Sequence, residues 1–443
     1  MNWVSTRGSS PPVPFIDALF AGTAPDGGLY MPERLEPLPA GAIESLRGAS
    51  VVDIGIRIGS HLLRDEITPE AIRPLIASAL DFPIPLVRVT DRIWALELFH
   101  GPTMAFKDVG ARVQARLLHH FTDGTPLTIL VATSGDTGSA VAQAFHRVPD
   151  TRVLVLYPEG QVSDVQEAQM ASLGDNVTAL AMHGTFDDCQ RLVKQAFADD
   201  ELRRHVWLTP ANSINLGRLL PQVFYYFALA RLMNGPPTIV SVPSGNFGNL
   251  TAGLIAKRLG LPVKKFVAAT NVNDTVPEYL RTGEYHPRPS VRTVANAMDV
   301  GAPSNWERIE ALYRHNLDDI RHDIVGSAYT DAQVVTEIGR VYREHEYLLD
   351  PHSAIAWLAL QNALDADPDA QGVFVATAHP GKFREVVEPA IGRTVPLPRP
   401  LQEALGRPRH SVSMDVDYGA LREFNVSGSA SNGQQARRSS THS

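Results

Sequence analysis

The stretch H-G-P-T-M-A-F-K-D-V-G, residues 100–110, sets one lysine, Lys107, between a turn-rich approach and an apolar helical run. A lysine at the start of a helix is ordinarily a solvated surface residue. Two turns further along the chain change that expectation. A-T-S-G-D-T-G-S-A at 132–140 and V-P-S-G-N-F-G-N-L-T-A-G at 242–253 each follow an apolar, β-branched run and open a helix. A lysine, a nest of backbone amides sized for phosphate and a small polar turn are the parts that hold pyridoxal phosphate through a Schiff base.

Outward from these turns, short apolar runs fall at residues 128–133, 152–157, 177–182, 238–242, 264–270 and 372–377. Helical periodicity lies at 111–121, 139–147, 186–197, 219–233 and 250–259. Continuous apolar runs alternating with amphipathic helices predict parallel strands covered on both faces. The expected class is α/β: two open, mostly parallel sheets with helices on both faces and the cofactor in the cleft between them. Before them, residues 42–47, 51–63 and 69–80 read as a small helical region, with Thr68 as the cap of the last. Residues 302–349 read as largely helical, with Trp306, Ile309, Leu312 and Tyr313 as a core stripe.

At 443 residues the chain is too long for one core. The expected division is a helical region at 1–92, a smaller α/β domain at 93–236 and a larger one at 237–400. An extension at 401–443 should be partly disordered, because its end is polar and poor in apolar residues. A net charge of −8 with no basic stripe argues against nucleic-acid binding. The single cysteine, Cys189, excludes an internal disulfide and a Cys-based zinc site, and no other metal site is expected. The N-terminus lacks a signal-peptide pattern and no apolar run reaches a membrane span, so a cytoplasmic protein without membrane attachment is expected.

In the 242–253 turn, Gly245 and Gly248 let the backbone approach an anion, and the next helix offers free N–H groups. The alternative is a plain strand-to-helix loop. In the 132–140 turn, Thr133, Ser134, Asp136 and Thr137 present hydroxyls and a carboxylate, although Asp136 also suits a helix cap. N-S-I-N-L-G-R-L at 212–219 gathers Asn212, Ser213, Asn215 and Arg218; a guanidinium among amides suits an oxyanion, while a lone Arg more often pairs on the surface. V-A-T-A-H-P-G-K-F at 375–383 ends a strand, with Thr377 aimed at the cleft or packing by its methyl, and His379 read as a turn residue before a general base.

With S-T-R-G at 5–8, A-P-D-G-G-L-Y at 24–30, A-T-N-V-N-D-T-V-P at 269–277 and N-A-M-D-V at 296–300, these motifs resemble the threonine synthases, pyridoxal-phosphate enzymes of the tryptophan-synthase-β fold group. The likeness spans residues 4–387 and is to the longer, microbial and fungal form. It implies conversion of O-phospho-L-homoserine and water to L-threonine and phosphate. It also implies Lys107 as the Schiff-base lysine, Phe106 against the cofactor ring and Thr377 on the pyridine nitrogen. Gly245, Asn246, Phe247, Gly248 and Asn249 would take the cofactor phosphate, and Asp136 would meet its phenolic oxygen or only cap a helix. Thr133, Ser134 and Thr137 would line the substrate end, with Asn212, Ser213 and Arg218 on the substrate phosphate. Two alternatives share these motifs: a phospho-lyase releasing 2-oxobutyrate, and a silent homologue acting as a binding protein. A monomer or homodimer is expected.

Overall fold

The computed structural model describes residues 1–427; the polar tail expected to be disordered lies, beyond residue 427, outside the described residues. Thirteen strands form three sheets among these residues. β1 (Trp3–Ser5) and β2 (Tyr30–Pro32) make a small antiparallel pair. β3 (Leu86–Arg88) and β4 (Ile93–Glu97) are followed by β5 (Leu127–Ala132), β6 (Thr151–Pro158), β7 (Val177–Met182) and β8 (Leu208–Pro210). Then come β9 (Thr238–Pro243), β10 (Val263–Thr270), β11 (Ile324–Ala328), β12 (Gln371–Ala376) and β13 (Ser411–Met414).

One sheet has the order β11-β10-β9-β12-β4-β3 and is parallel except at its β3 edge. The other, β13-β7-β6-β5-β8, is parallel throughout. The α/β class and the two flanked sheets agree with expectation. The sheets do not follow the expected limits in residue number. β4 pairs with β12 in the six-stranded sheet, and β13 closes the five-stranded one. Sequence pattern locates strands along the chain, whereas sheet membership is set by long-range pairing.

Side-chain alternation shows why the runs are apolar throughout. In β6, Val153, Val155 and Tyr157 enter the core cluster shared by the inner faces, while Leu154 and Leu156 enter a second cluster on the outer face. β12 divides likewise, with Val373 and Val375 inward and Phe374 and Ala376 outward. Burying such a side chain is worth about 1.5–3 kcal/mol, so a strand covered on both faces gains at every position.

Beside the sheets stand helices Val51–Leu62 and Pro69–Ala79. Ile54, Ile58 and Leu62 recur every four residues on the buried face of the first. Thr68 caps the second, its side chain accepting from the Ala71 amide at 3.3 Å. Residues 302–349 are not wholly helical, because β11 runs through them. In the expected stripe Trp306, Ile309 and Tyr313 are buried, while Leu312 is only partly so. No helix among the described residues is long and apolar enough to cross a membrane.

Candidate active site

Lys107 begins the helix Lys107–Phe121, and the segment before it is fixed from two sides. The Asp108 carboxylate accepts from the Thr103 amide at 2.8 Å and hydroxyl at 2.6 Å, closing the turn. Residues 104–106 are zipped to the end of β12: His379 N donates to Met104 O at 3.0 Å, and Phe106 N to Thr377 O at 2.8 Å. Lys107 and Thr377, far apart in sequence, therefore enter the cleft side by side.

A single cleft of about 1910 Å³ is lined by Phe106, Lys107, Thr133, Ser134, Thr137, Asn212, Ser213, Arg218, Gly245, Asn246, Phe247, Gly248, Asn249 and Thr377. Its key walls lie at the carboxyl ends of β5, β9 and β12, where open parallel sheets collect ligands. Of the residues singled out from sequence, Asp136, Asn215 and His379 are not on this wall. Asp136 is the one of these expected to meet the cofactor. It is the first residue of helix Asp136–Phe145, makes no capping bond, and its Oδ1 is held by Gln166 Nε2 at 3.0 Å and Lys382 Nζ at 2.7 Å. The cap alternative is thereby set aside.

The turn after β9 has the features of an anion cradle. Phe247 takes a left-handed conformation, φ 62°, and helix Gly248–Arg258 starts with no side-chain cap, leaving its first N–H groups to an outside acceptor. Tyr225 and Tyr226 donate to Asn249 Oδ1 at 2.5 and 2.7 Å, which turns Asn249 Nδ2 the other way, buried and without a partner. Arg308 donates to Asn305 Oδ1 at 2.6 Å, and Asn305 Nδ2 is likewise buried and unpaired. A Cβ built on Gly248 would meet that nitrogen at 3.4 Å and nothing nearer, so the protein leaves room there. Free amides, two orphaned N–H₂ donors and open space fit the phosphate of pyridoxal phosphate.

The 212–219 turn packs beside this one, Asn246 Nδ2 donating to Ser213 Oγ at 2.5 Å, and it brings a buried arginine to the cleft. Arg218 is only 3% exposed, which removes the surface-pairing alternative. Its Nη1 donates to Ala211 O at 2.6 Å, and its Nε is buried without a partner. Burial lowers its pKa to about 10, opposed by Asp108, so it stays cationic. Arg308 clamps the adjoining turn by donating to Ser213 O at 3.2 Å and Ile214 O at 2.6 Å. Asn215, grouped with these from sequence, instead holds backbone, donating to Leu19 O at 2.7 Å and accepting from Gly217 N at 2.8 Å.

The 132–140 turn divides its duties. The Thr133 hydroxyl accepts from the amides of Gly135 and Gly138 at 2.9 and 2.8 Å and so shapes the turn from within. Gly135, φ 141°, would place a Cβ 2.4 Å from the Gln166 amide. Ser134 and Thr137 are half-buried on the cleft wall, and among the described residues their hydroxyls make no hydrogen bond. His379 accepts from Gly381 N at 3.0 Å, the turn role expected for it, and burial pushes its imidazole down to about 4.

The electrostatics centre on Lys107. Burial pushes its amine down to about 8; Asp136 opposes this, and Arg218 and Lys382 reinforce it. Burial would raise the Asp136 carboxyl, but Lys382, then Lys107 and Gln166, hold it below the usual carboxylate range. Lys382 escaped the sequence reading as a site residue although it stands in T-A-H-P-G-K-F, because a lysine in a Gly-Pro turn reads as solvated. His352, also on the wall, was missed in the same way: a helix residue is placed in a cleft only by the tertiary fold.

Three family models tile the chain: threonine synthase N terminus at 2–80, pyridoxal-phosphate dependent enzyme at 79–378, and threonine synthase C-terminal at 353–424. Threonine synthase of Escherichia coli K12 is 44% identical over 93% of this chain and 96% of its own length. The chain belongs to the threonine synthases. Among solved structures, the pyridoxal-phosphate-bound threonine synthase of Brucella melitensis matches with TM-score 0.92 and 36% identity, covering 97% of this chain and 99% of that one. Threonine synthase from yeast matches with TM-score 0.89 and 30% identity over the same shares. As a threonine synthase the chain is an enzyme of the pyridoxal-phosphate-dependent class, and the relatives give no support to the phospho-lyase or binding-protein alternatives.

Proposed function

We propose that the chain converts O-phospho-L-homoserine and water to L-threonine and phosphate, with Lys107 as the reacting amine. The observation that carries this is two sets of buried, unpaired N–H donors on the same cleft as Lys107: Asn249 at the uncapped Gly248 helix start, backed by Asn305, and Arg218 Nε in the neighbouring turn. One serves the cofactor phosphate and the other the substrate phosphate.

When bound, pyridoxal phosphate supplies the electron sink that makes carbon acids of the substrate's α and β positions. Lys107 Nζ takes and returns those protons. With a pKa near 8, about one amine in four is unprotonated at pH 7.5, against about one in a thousand at the ordinary value. Arg218, Asn212 and Ser213 hold the phosphate as it leaves the γ carbon, where a fixed guanidinium is worth most because water is excluded. Ser134 and Thr137 receive the substrate carboxylate, Thr133 keeps their turn in shape, and Thr377 fixes the cofactor ring, which rests against Phe106. Gly245, Asn246, Phe247, Gly248 and Asn249 form the phosphate cradle. Asp136 acts on Lys107 by charge from behind the wall.

Assaying purified protein with O-phospho-L-homoserine for threonine, phosphate and 2-oxo acid tests this. Threonine and phosphate in equal amounts are expected, and 2-oxobutyrate as the main product would refute it. Working in the cytoplasm is part of the same proposal, in keeping with the free, buried Cys189, and so is a monomeric or homodimeric state. Sedimentation measures that state.

A further inference from the structure

The side chain of Lys382 is 0% exposed. Its Nζ lies 2.7 Å from Asp136 Oδ1 and donates to Thr103 O at 2.9 Å. These three residues come from different places. Lys382 follows β12 of the six-stranded sheet, Asp136 follows β5 of the five-stranded one, and Thr103 lies four residues before Lys107. The same Thr103 carbonyl accepts from Gln169 at 3.1 Å, and Gln166, three residues earlier, holds Asp136. Neither Lys382 nor Asp136 is on the cleft wall. A buried pair of this kind is weak support for stability, because removing both ions from water costs several kcal/mol that their attraction only partly returns.

We propose that Lys382 is a positioning residue: it pins the Asp136 carboxylate behind the cleft wall, so that Lys107 faces a balanced pair of charges instead of a lone carboxylate. The other charge acting on Lys107 is Arg218 from the 212–219 turn; Asp108, next to Lys107 on its helix, is engaged by Thr103 and also feels the charges of Lys382 and Arg112. A lone Asp136 would hold Lys107 protonated. Paired with Lys382, its pull is offset and the amine remains available near neutral pH. The proposal rests on Lys107 being the reacting amine only for its consequence in catalysis; the charge coupling itself is measurable without turnover.

The test is the pH dependence of Lys107 acetylation, by competitive labelling and mass spectrometry, in the full-length chain freed of cofactor, with folding checked by circular dichroism. Lys382→Met is expected to move the midpoint up by roughly one pH unit. Lys382→Arg, which keeps the charge, should stay near the wild-type midpoint. Lys382→Met with Asp136→Asn, which removes both charges, should lie at or below it. In holoenzyme, the acid limb of kcat/KM should move up in Lys382→Met alone. If Lys382→Met does not fold, Asp136→Asn takes its place and should move the midpoint down. An unmoved midpoint in a folded single variant, an equal rise in Lys382→Arg, or a rise in the double variant overturns the proposal. Turnover by Lys107→Ala would instead refute Lys107 as the reacting amine and leave the charge coupling standing.

Discussion

The Phe106 amide donates to the Thr377 carbonyl at 2.8 Å, so the residue before Lys107 is tied to the end of the central strand β12. This backbone link does not depend on the Thr377 side chain. Thr377→Val should therefore leave the melting temperature within about 1–2 °C and remove only the hydroxyl. One neutral hydrogen bond is worth about 1 kcal/mol, which predicts a five- to tenfold fall in kcat. A large drop in melting temperature would show that the hydroxyl serves the fold instead.

Gly245 and Gly248 are predicted to fail differently. A Cβ on Gly245 would lie 2.5 Å from the Ala297 carbonyl oxygen, a backbone atom that cannot step aside. Gly245→Ala should cost about 1–3 kcal/mol of stability, read by urea unfolding of the cofactor-free chain. Gly248→Ala meets only ordinary contacts and should unfold as wild type, while its methyl enters the anion cradle and weakens cofactor retention in dialysis. Equal stability losses in both would contradict the distinction.

Arg218→Lys should lower kcat/KM for O-phospho-L-homoserine by one to two decades. Lysine carries the charge but not the planar fork, and a hydrogen bond to a charged group is worth about 1.5–3 kcal/mol. Cofactor absorbance should be unchanged, because the proposed function gives the cofactor phosphate to the other turn. A loss explained wholly by lost cofactor would move Arg218 out of the substrate site.

His379 predicts a pH effect on stability. Its folded pKa, lowered by burial to about 4, lies below the unfolded value near 6.5. The unfolded chain therefore takes up the proton first, and the contribution of the neutral ring is present above pH 6.5 and lost as pH falls to about 4. The loss is up to about 3 kcal/mol. His379→Asn keeps an acceptor for Gly381 N and cannot protonate in this range, so its unfolding free energy should fall less steeply between pH 6.5 and 4.

The main strands were legible because β6, β9 and β12, and β10 from Phe266 on, are buried on both faces and so read as mostly apolar runs. β11, I-V-G-S-A, was not, since its central residues are only partly buried and a glycine interrupts it. The glycine-rich turns were legible because glycine is needed there for two different reasons: Gly135 takes φ 141°, and Gly245 packs so close to the Ala297 carbonyl that a Cβ would lie 2.5 Å from it. What stayed hidden depends on tertiary placement: the orientation of Asn249 by two tyrosines, the clamp of Arg308 on Ser213 and Ile214, and the burial of Lys382 against Asp136. None of these pairs shares a local pattern, and each joins segments from distant parts of the chain.

Lys107→Ala tests the central claim most directly, by threonine formation from O-phospho-L-homoserine with circular dichroism of the same sample. The half-buried Lys107 side chain adds little to the core, so the variant should fold as wild type. Turnover should fall to background, because the other lysine on the cleft wall, Lys194, is an exposed residue of helix Phe186–Ala198, away from the β9 and β12 turns. A folded Lys107→Ala enzyme that keeps more than a trace of threonine formation would contradict the account.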